Sequence, residues 1–380
     1  MNIFSAIILF FCFIFVLFPL FFMLLLSGND YYIPLLFTFA IILYLAIVFH
    51  LFQFFKTKKR RVVFTTISGV AIIITLISPL KHAYLDSIPT VDAEVNVYQY
   101  MPFSEEGKVT TLNEEATLTL TDQLPKMDGA TALYPLYSAI VQATYPEKDY
   151  NPYMSEVMVN TTPDAYTNLF KGEVDMIFAA APSESQRKYA ERLGLEMKLT
   201  PIGREAFVFF VNKKNAIDGL TIEQIKDIYS GKVQNWKDVG GDNDSIRAFQ
   251  RPEDSGSQTA LQKLMGDTPL MKAEKEEIVT GMGGIIQEVS QYKNFKNAIG
   301  FTFRYYSNEM VKNNQIKLLE IEGVAPTKEN IRNNTYPIAS EFYIVTAGTT
   351  NPNVDKLIEW VLSAQGQQLV EKVGYVPLNE

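Results

Sequence analysis

Ile246-Arg-Ala-Phe-Gln-Arg251-Pro-Glu-Asp-Ser255-Gly-Ser257-Gln-Thr259 reads as a short apolar strand, then a loop of small polar residues, then a helix beginning near Ser257. A strand that feeds a helix through such a loop is the repeating unit of an α/β body. The same change of period recurs on both sides of it. Upstream, Val157–Val159, Val174–Phe178 and Ala206–Val211 read as strands. Helical patterns lie between them at Pro135–Thr144, Pro163–Lys171, Ser183–Leu193 and Thr221–Tyr229, the last with Thr221 and Gln224 at capping-box spacing. Downstream, Ala298–Phe303 and Phe342–Val345 read as strands, and Val354–Val361 and Ser363–Val373 as closing helices. The alternation predicts mostly parallel sheets, with a ligand at the carboxyl ends of the strands. About 250 residues of it fit two lobes better than one core.

The first 80 residues are of another kind. Ile3–Leu26, Tyr32–Phe55 and Val62–Leu80 are apolar runs, each near the roughly 20 residues that a helix needs to cross a bilayer. The first lacks a charged leading region and a small-residue cleavage pattern, so it reads as a retained anchor rather than a signal peptide. The cluster Lys56, Lys58, Lys59, Arg60 and Arg61 places the loop between spans two and three on the cytoplasmic side. The N-terminus is then inside and everything after Leu80 outside, with membrane lipid around the spans. Residues 81–124 read as a connector, with turn residues at 102–107 and hairpin-like alternation in Ala116–Thr121.

Charge and residue usage exclude several functions. Up to His82 there are six cations and one anion, a balance of +5, while the whole chain carries −8; residues 83–380 therefore hold −13. So acidic a body is a poor partner for nucleic acid. Cys12 is the only cysteine and His50 and His82 the only histidines. The body thus has no thiol nucleophile, imidazole base, disulfide or Cys/His metal cluster, and no cofactor motif is read in it. Only carboxylate-based catalysis survives.

Two loops stand directly before helices, Asp128-Gly-Ala-Thr131-Ala132-Leu and the 251–259 stretch quoted above, and Asn160-Thr161-Thr162-Pro163 is a third. Unpaired N–H groups at a helix start, with the helix dipole, make an anion socket. Thr131, Ser255 and Ser257 would add hydroxyls, Gly256 would allow close approach, and Arg251 would offer a forked guanidinium. Ser, Thr and Asp at these places are equally ordinary N-caps.

Taken in order, Asp128–Tyr137, Ile228-Tyr-Ser-Gly-Lys-Val-Gln-Asn-Trp236 with Val239-Gly-Gly241, Arg251–Thr259 and Ala298-Ile-Gly-Phe301 resemble the phosphate-binding proteins of bacterial ABC phosphate importers. The resemblance covers residues 125–380 and leaves out the three spans. It implies an α/β, two-lobed type II periplasmic-binding-protein fold preceded by three transmembrane helices. It also implies a non-enzymatic binder of inorganic phosphate or a related oxyanion that serves an ABC permease. Lobe one would be 125–205 with 338–380 and lobe two 206–337, hinged at Ala206–Val211 and Pro337–Val345. The ligand-binding residues so implied are Thr131, Ala132, Thr162 (or its neighbour Thr161), Arg251, Ser255, Gly256 and Ser257, with Glu253 orienting Arg251. Where enteric members carry an aspartate that accepts the ligand's proton, this chain has Ala180; Glu184 or Glu205 would have to take over, or the ligand differs. Arg204 suits either the cleft or a salt bridge between lobes. An anion-sensing or scaffold protein without transport, and a carboxylate-dependent hydrolase, are the rival readings.

Overall fold

The computed structural model describes residues 2–88, 95–105, 107–272, 295–312 and 314–378. Parts of the connector (89–94 and 106) and of the second lobe (273–294) lie outside the described residues. The chain divides into two compact units, Met1–Pro89 and Thr90–Glu380.

The first unit holds three helices, α1 (Asn2–Leu26), α2 (Ile33–Leu51) and α3 (Lys58–Ser87), all long and apolar enough to cross a membrane. Their apolar side chains stay exposed, Phe15, Leu26 and Ile73 among them, as a lipid-facing surface requires. Thr57 caps α3, its hydroxyl accepting from the Arg60 N–H, and the helix runs past Leu80 to Ser87.

The second unit is built from β1 (Met127–Gly129), α4 (Tyr134–Thr144), α5 (Thr162–Phe170), β2 (Met176–Ala179), α6 (Glu184–Arg192) and β3 (Lys198–Asn212). There follow β4 (Gly219–Leu220), α7 (Ile222–Tyr229), β5 (Arg247–Ala248), α8 (Gly256–Met265), β6 (Ala298–Phe303), β7 (Ile316–Leu318) and β8 (Glu320–Ile321). The closing elements are α9 (Lys328–Arg332), β9 (Ala339–Thr346), α10 (Asn353–Leu362) and α11 (Ala364–Val373). The Thr221/Gln224 capping box opens α7.

One sheet runs through both lobes in the order β1-β2-β9-β3-β6-β5, with β7 also on β3; β4 and β8 form a separate pair. The first part of β3, Lys198–Ala206, pairs antiparallel with β9. Beyond Ala206 the strand changes partners, pairing with β6 from Phe207 and with β7 from Phe210. Each half therefore lies in a different core: Ile202 packs with α4, α10 and α11 residues in lobe one, and Phe209 with Ile225, Trp236 and Leu261 in lobe two.

Three expectations are corrected. The sheet is mixed rather than mostly parallel: β1–β2, β5–β6 and β4–β8 are parallel, but every pairing of β3 and β9 is antiparallel. β9 returns beside β3 and runs against it, so the two strands that join the lobes bring antiparallel pairing into the sheet. Ala116–Thr121 forms no strand. It is an extended segment tied to helix ends through Thr117 N–H to Gln365 and Leu120 N–H to the Thr144 carbonyl, so its alternation has no partner strand to pair with. Val157–Val159 makes only an isolated bridge to Met127.

The hinge strand also begins earlier than Ala206. Pro201 and Gly203 depress its strand reading, yet both lie inside β3, where the pairing with β9 shifts register. Gly203 sits under the ring of Phe342, and a Cβ there would come within 2.4 Å of the ring. Phe342 is buried and its ring packs against Tyr375, so swinging it aside would disturb that contact. Gly203→Ala is therefore expected to cost about 1–3 kcal/mol of stability, measured by urea unfolding of the full chain in detergent; a cost under about 0.5 kcal/mol would contradict the packing argument.

Candidate functional site

Lobe one brings two loops together through a buried carboxylate. Asp128, at the end of β1, accepts from Gly129 N–H (2.7 Å), Asn160 N–H (2.9 Å), Asn160 Nδ2 (2.8 Å) and Asn168 Nδ2 (2.8 Å). Burial holds its carboxyl above the usual carboxylate range in spite of these four donors. The four bonds fix the 160–162 loop and α5 beside the end of β1. Thr161 then caps α5, its hydroxyl accepting from the Asp164 N–H at 3.5 Å and donating to the Asp164 carboxylate at 2.7 Å. That leaves Thr162 as the first residue of the helix, buried, with a hydroxyl that has no hydrogen-bond partner among the described residues. Alongside, residues Thr131–Leu133 form a 3-10 turn leading into α4, and the Tyr375 hydroxyl donates to the Ala132 carbonyl.

In lobe two Ser255 is the N-cap of α8, accepting from Gln258 N–H at 3.3 Å, and Gly256 is the first residue of that helix. The Arg251 N–H donates to Gln258 Oε1 at 2.9 Å, which folds the loop back on the helix it precedes. A Cβ on Gly256 would stand 3.4 Å from Thr162 Oγ1 and 3.5 Å from Ala180 Cβ. The two lobes thus meet at van der Waals distance at this point.

Between them lies a cavity of about 40 Å³, and Ala132, Thr162, Gly256, Ala180 and Glu205 are on its wall. At about one water for each 10–15 Å³, it holds on the order of three waters, the bulk of one small four-oxygen anion. The starts of α5 and α8 and the turn into α4 all border it, so the positive ends of three helices share one small space. Leu133, Phe303, Tyr305, Phe342 and Tyr375 add apolar and aromatic surface to the wall, and Ser340 and Glu341 of β9 add polar surface. A larger cleft of about 640 Å³ adjoins the cavity and shares Ala180, Gly256 and Phe303 with it.

The residues singled out from sequence are placed as follows. Ala132, Thr162 and Gly256 line the cavity; Thr131, Arg251, Ser255 and Ser257 are half-buried and lie outside its lining. Glu253 is exposed. Of the two acceptors considered beside Ala180, Glu184 is on the surface in an ion pair with Lys188, whereas Glu205 is on the cavity wall. Glu205 is buried in β3 opposite Ser340. Its Oε1 accepts from Ala206 N–H (2.9 Å) and pairs with Arg304 Nε (3.5 Å); its Oε2 accepts from Tyr305 N–H (3.1 Å). Burial pushes this carboxyl up to about 7, against the pull of Arg304 and the two amides. Arg304 is itself buried and donates to the Gly374 carbonyl at 2.9 Å. Arg204 lines the larger cleft and ties the lobes through hydrogen bonds to Asn334 Oδ1 (2.5 Å) and the Leu378 carbonyl (3.2 Å). The tie it makes is hydrogen-bonded to a neutral side chain rather than the salt bridge considered for it. Trp236 and Trp360 are core residues. Sequence reading missed Phe303, Phe342 and Tyr375, which are ordinary apolar residues until the two hinge strands and the C-terminus are folded over the cavity.

A family model described as a PBP superfamily domain matches residues 115–365. Among curated relatives, the phosphate-binding protein PstS of Borreliella burgdorferi is 24% identical over 265 residues, covering 68% of this chain and 91% of that protein. The phosphate-binding protein PstS of Pseudomonas aeruginosa is 29% identical over 212 residues, covering 50% and 63%. Among solved structures, a putative phosphate ABC transporter substrate-binding protein from Clostridium perfringens, with bound phosphate, matches with a TM-score of 0.48 at 22% identity, covering 69% of this chain and all of that one. Matched by the family model over most of its length, and built as two α/β lobes joined through β3 and β9, the chain belongs to the PBP superfamily, with a type II periplasmic-binding-protein fold.

Proposed function

We propose that this chain is a membrane-tethered, extracytoplasmic solute-binding protein that captures inorganic phosphate for an ABC importer. The observation that carries the reading is the convergence of three helix starts from two lobes, with the unpartnered Thr162 hydroxyl, on a cavity the size of one small oxyanion. The names of the curated relatives support phosphate as the oxyanion. In this reading α1–α3 anchor the chain with the binding unit outside the cell, and the chain binds and releases its ligand without turning it over.

In this reading Ala132 and Thr162 of lobe one and Gly256 of lobe two meet the ligand on the cavity wall, and Thr131, Ser255 and Ser257, neighbours of these residues in the same loops and outside the present lining, complete the donor set. Arg251 adds the one formal positive charge of the donor set. A ligand that needs donors from both lobes stabilises only the closed arrangement, and its binding energy drives closure.

Asp254 gives the closed arrangement a latch. Its carboxylate, from lobe two, accepts from the hydroxyls of Ser183 (2.6 Å) and Ser185 at the start of α6 in lobe one, and its carbonyl accepts from Gln186 Nε2 at 3.5 Å. Hydrogen bonds to a charged acceptor contribute roughly 1.5–3 kcal/mol each. Asp254 also holds a left-handed backbone conformation with φ 65°, which glycine adopts without strain.

Isothermal titration of the full chain in detergent is expected to show phosphate binding that Arg251→Ala abolishes and that Thr162→Val weakens at least about tenfold, the loss of one hydrogen bond to a charged ligand. Unchanged affinity in Arg251→Ala refutes this donor set. Asp254→Gly removes the latch without straining the loop, and stopped-flow measurement is expected to show phosphate leaving at least about tenfold faster. An unchanged dissociation rate would mean that the latch does not hold the lobes.

A further inference from the structure

The membrane unit is electrically lopsided. Lys56, Lys58, Lys59, Arg60 and Arg61 gather where α2 gives way to α3, and no Asp or Glu occurs anywhere in 31–85. The unit's acidic residues, Asp30 and Asp86, lie at the other ends of the same two helices, where they outnumber Lys81. All five cations of the turn are exposed. Their framework is ordered: Phe54–Lys56 form a 3-10 turn, and the rings of Phe49, Phe54, Phe55 and Phe64 pack on one another across the join between α2 and α3. The Arg60 guanidinium lies 4.8 Å from the centre of the Phe54 ring, a cation–π contact that holds it in place.

The same three helices leave an apolar groove of about 580 Å³, within the roughly 300–1,000 Å³ range of small-molecule sites. Leu9, Phe13 and Leu17 of α1, Ala40 and Ala46 of α2 and Ile72 of α3 are on its wall. At about 1.5 Å per residue its lining extends about 12 Å along α1 and about 15 Å along α2, close to the half-thickness of a bilayer core. Ala46 stands about 8 Å from the end of α2 at Leu51, so the groove opens toward the cationic end of the unit. Arg61 and Ile72 are about three turns apart on α3 and therefore on one face of it, about 16 Å from each other along the axis. A cation and a groove wall so spaced fit a molecule with an anionic head and an apolar tail one leaflet long.

We infer that the membrane unit is a binding site for one anionic phospholipid: the cations of the α2–α3 turn, Arg61 foremost, hold its phosphoryl group, and the groove between the helices takes an acyl chain. The inference rests on reading α1–α3 as membrane spans and adds the lipid they select. Cations at the end of a span stand at the depth of lipid phosphates, so an anionic lipid is the partner that charge complementarity selects. A guanidinium meets phosphoryl oxygens with two parallel hydrogen bonds. A zwitterionic lipid brings its own cation to a turn that is already positive, and a free anion has nothing to place in an apolar groove. Basic residues beside a span also set its orientation during insertion. Orientation alone requires no groove and no choice among lipids once the spans are in place.

The test uses the purified full chain in a neutral detergent, with phosphatidylglycerol and phosphatidylcholine of the same acyl chains added in equal amounts and bound lipid counted by native mass spectrometry. One phosphatidylglycerol is expected to be retained at least about tenfold over phosphatidylcholine, and the double variant Lys58→Gln with Arg61→Gln to bring the two lipids within about twofold. Ala46→Phe fills the groove and leaves every cation in place; it is expected to lower retention of phosphatidylglycerol at least about fivefold. Inorganic phosphate at matched ionic strength is expected to leave the lipid bound, and displacement by it would make the turn a site for a free anion and overturn the lipid. Equal retention of the two lipids by the wild type, or an unchanged preference in the double variant, overturns the role of the cations; unchanged retention in Ala46→Phe overturns the groove. The wild-type comparison needs no variant and stands if a variant fails to fold. A chain that alkaline carbonate strips from membranes overturns the spans and this inference together, whereas one that resists carbonate and retains both lipids equally overturns the lipid site alone.

Discussion

The pairing of β3 with β9 is the constraint from which the rest of the binding unit follows. β3 is a fifteen-residue strand whose first nine residues are hydrogen-bonded into lobe one and whose remainder is hydrogen-bonded into lobe two. Neither lobe can drift away while that strand is continuous, and two lobes held along one edge necessarily leave a crevice. The residues at the change of partners, Arg204 to Ala206, are then forced to the floor of the crevice whatever their polarity. That position explains why a glutamate is found buried there. It also explains why Glu205 is held by main-chain donors from its own strand and from the end of β6, since both strands pass within reach of it.

The acidic body raises an electrostatic question, because residues 83–380 carry −13 and the proposed ligand is an anion. Bulk charge is screened over about 8 Å at physiological ionic strength, so the distant surface carboxylates have little influence inside a closed cavity. The cavity wall is local: the starts of α5 and α8, the turn into α4, apolar side chains, and the carboxylates of Glu205 and Glu341. Helix ends contribute without introducing a mobile counter-charge, and a cavity lined by main-chain donors suits an anion that must be released as well as held. The net negative charge bears on the approach of the anion more than on its affinity once bound.

Much of this architecture was legible in the residues, and the failures have a common cause. The capping box at Thr221/Gln224, the helix over Val354–Val361 and the strand Ala298–Phe303 rest on neighbours within a few positions, and these local signals match the structure. Ala116–Thr121 and Val157–Val159 carry equally good strand patterns but have no ladder partner in space, and a strand exists only as a pair. Pro201 and Gly203 show the converse, residues that argue against a strand yet sit in one because a register shift absorbs them. At the site, sequence could nominate Thr161 or Thr162 but could not divide their labour. The division depends on Asp164, which claims the Thr161 hydroxyl. Nor could sequence separate Glu184 from Glu205, because Arg304, the partner that lets Glu205 be buried, is about a hundred residues away.

Two buried carboxylates border the ligand-facing loops, and their surroundings assign them different work. Asp128 meets four neutral donors, which fill the lone-pair positions of both oxygens. A carboxylate so satisfied has nothing left to offer a ligand, and its place at the junction of β1, the 160–162 loop and α5 is that of a fastener. Glu205 accepts two hydrogen bonds among the described residues, from Ala206 N–H and Tyr305 N–H, and its charge is met by the Arg304 guanidinium, an ion-pair partner shared with Glu309. A less satisfied group at the β1–α5 junction would leave buried amides unpaired, at roughly 1–3 kcal/mol each. The difference between the two carboxylates lies not in the type of residue but in how many of its acceptor positions the fold has already used.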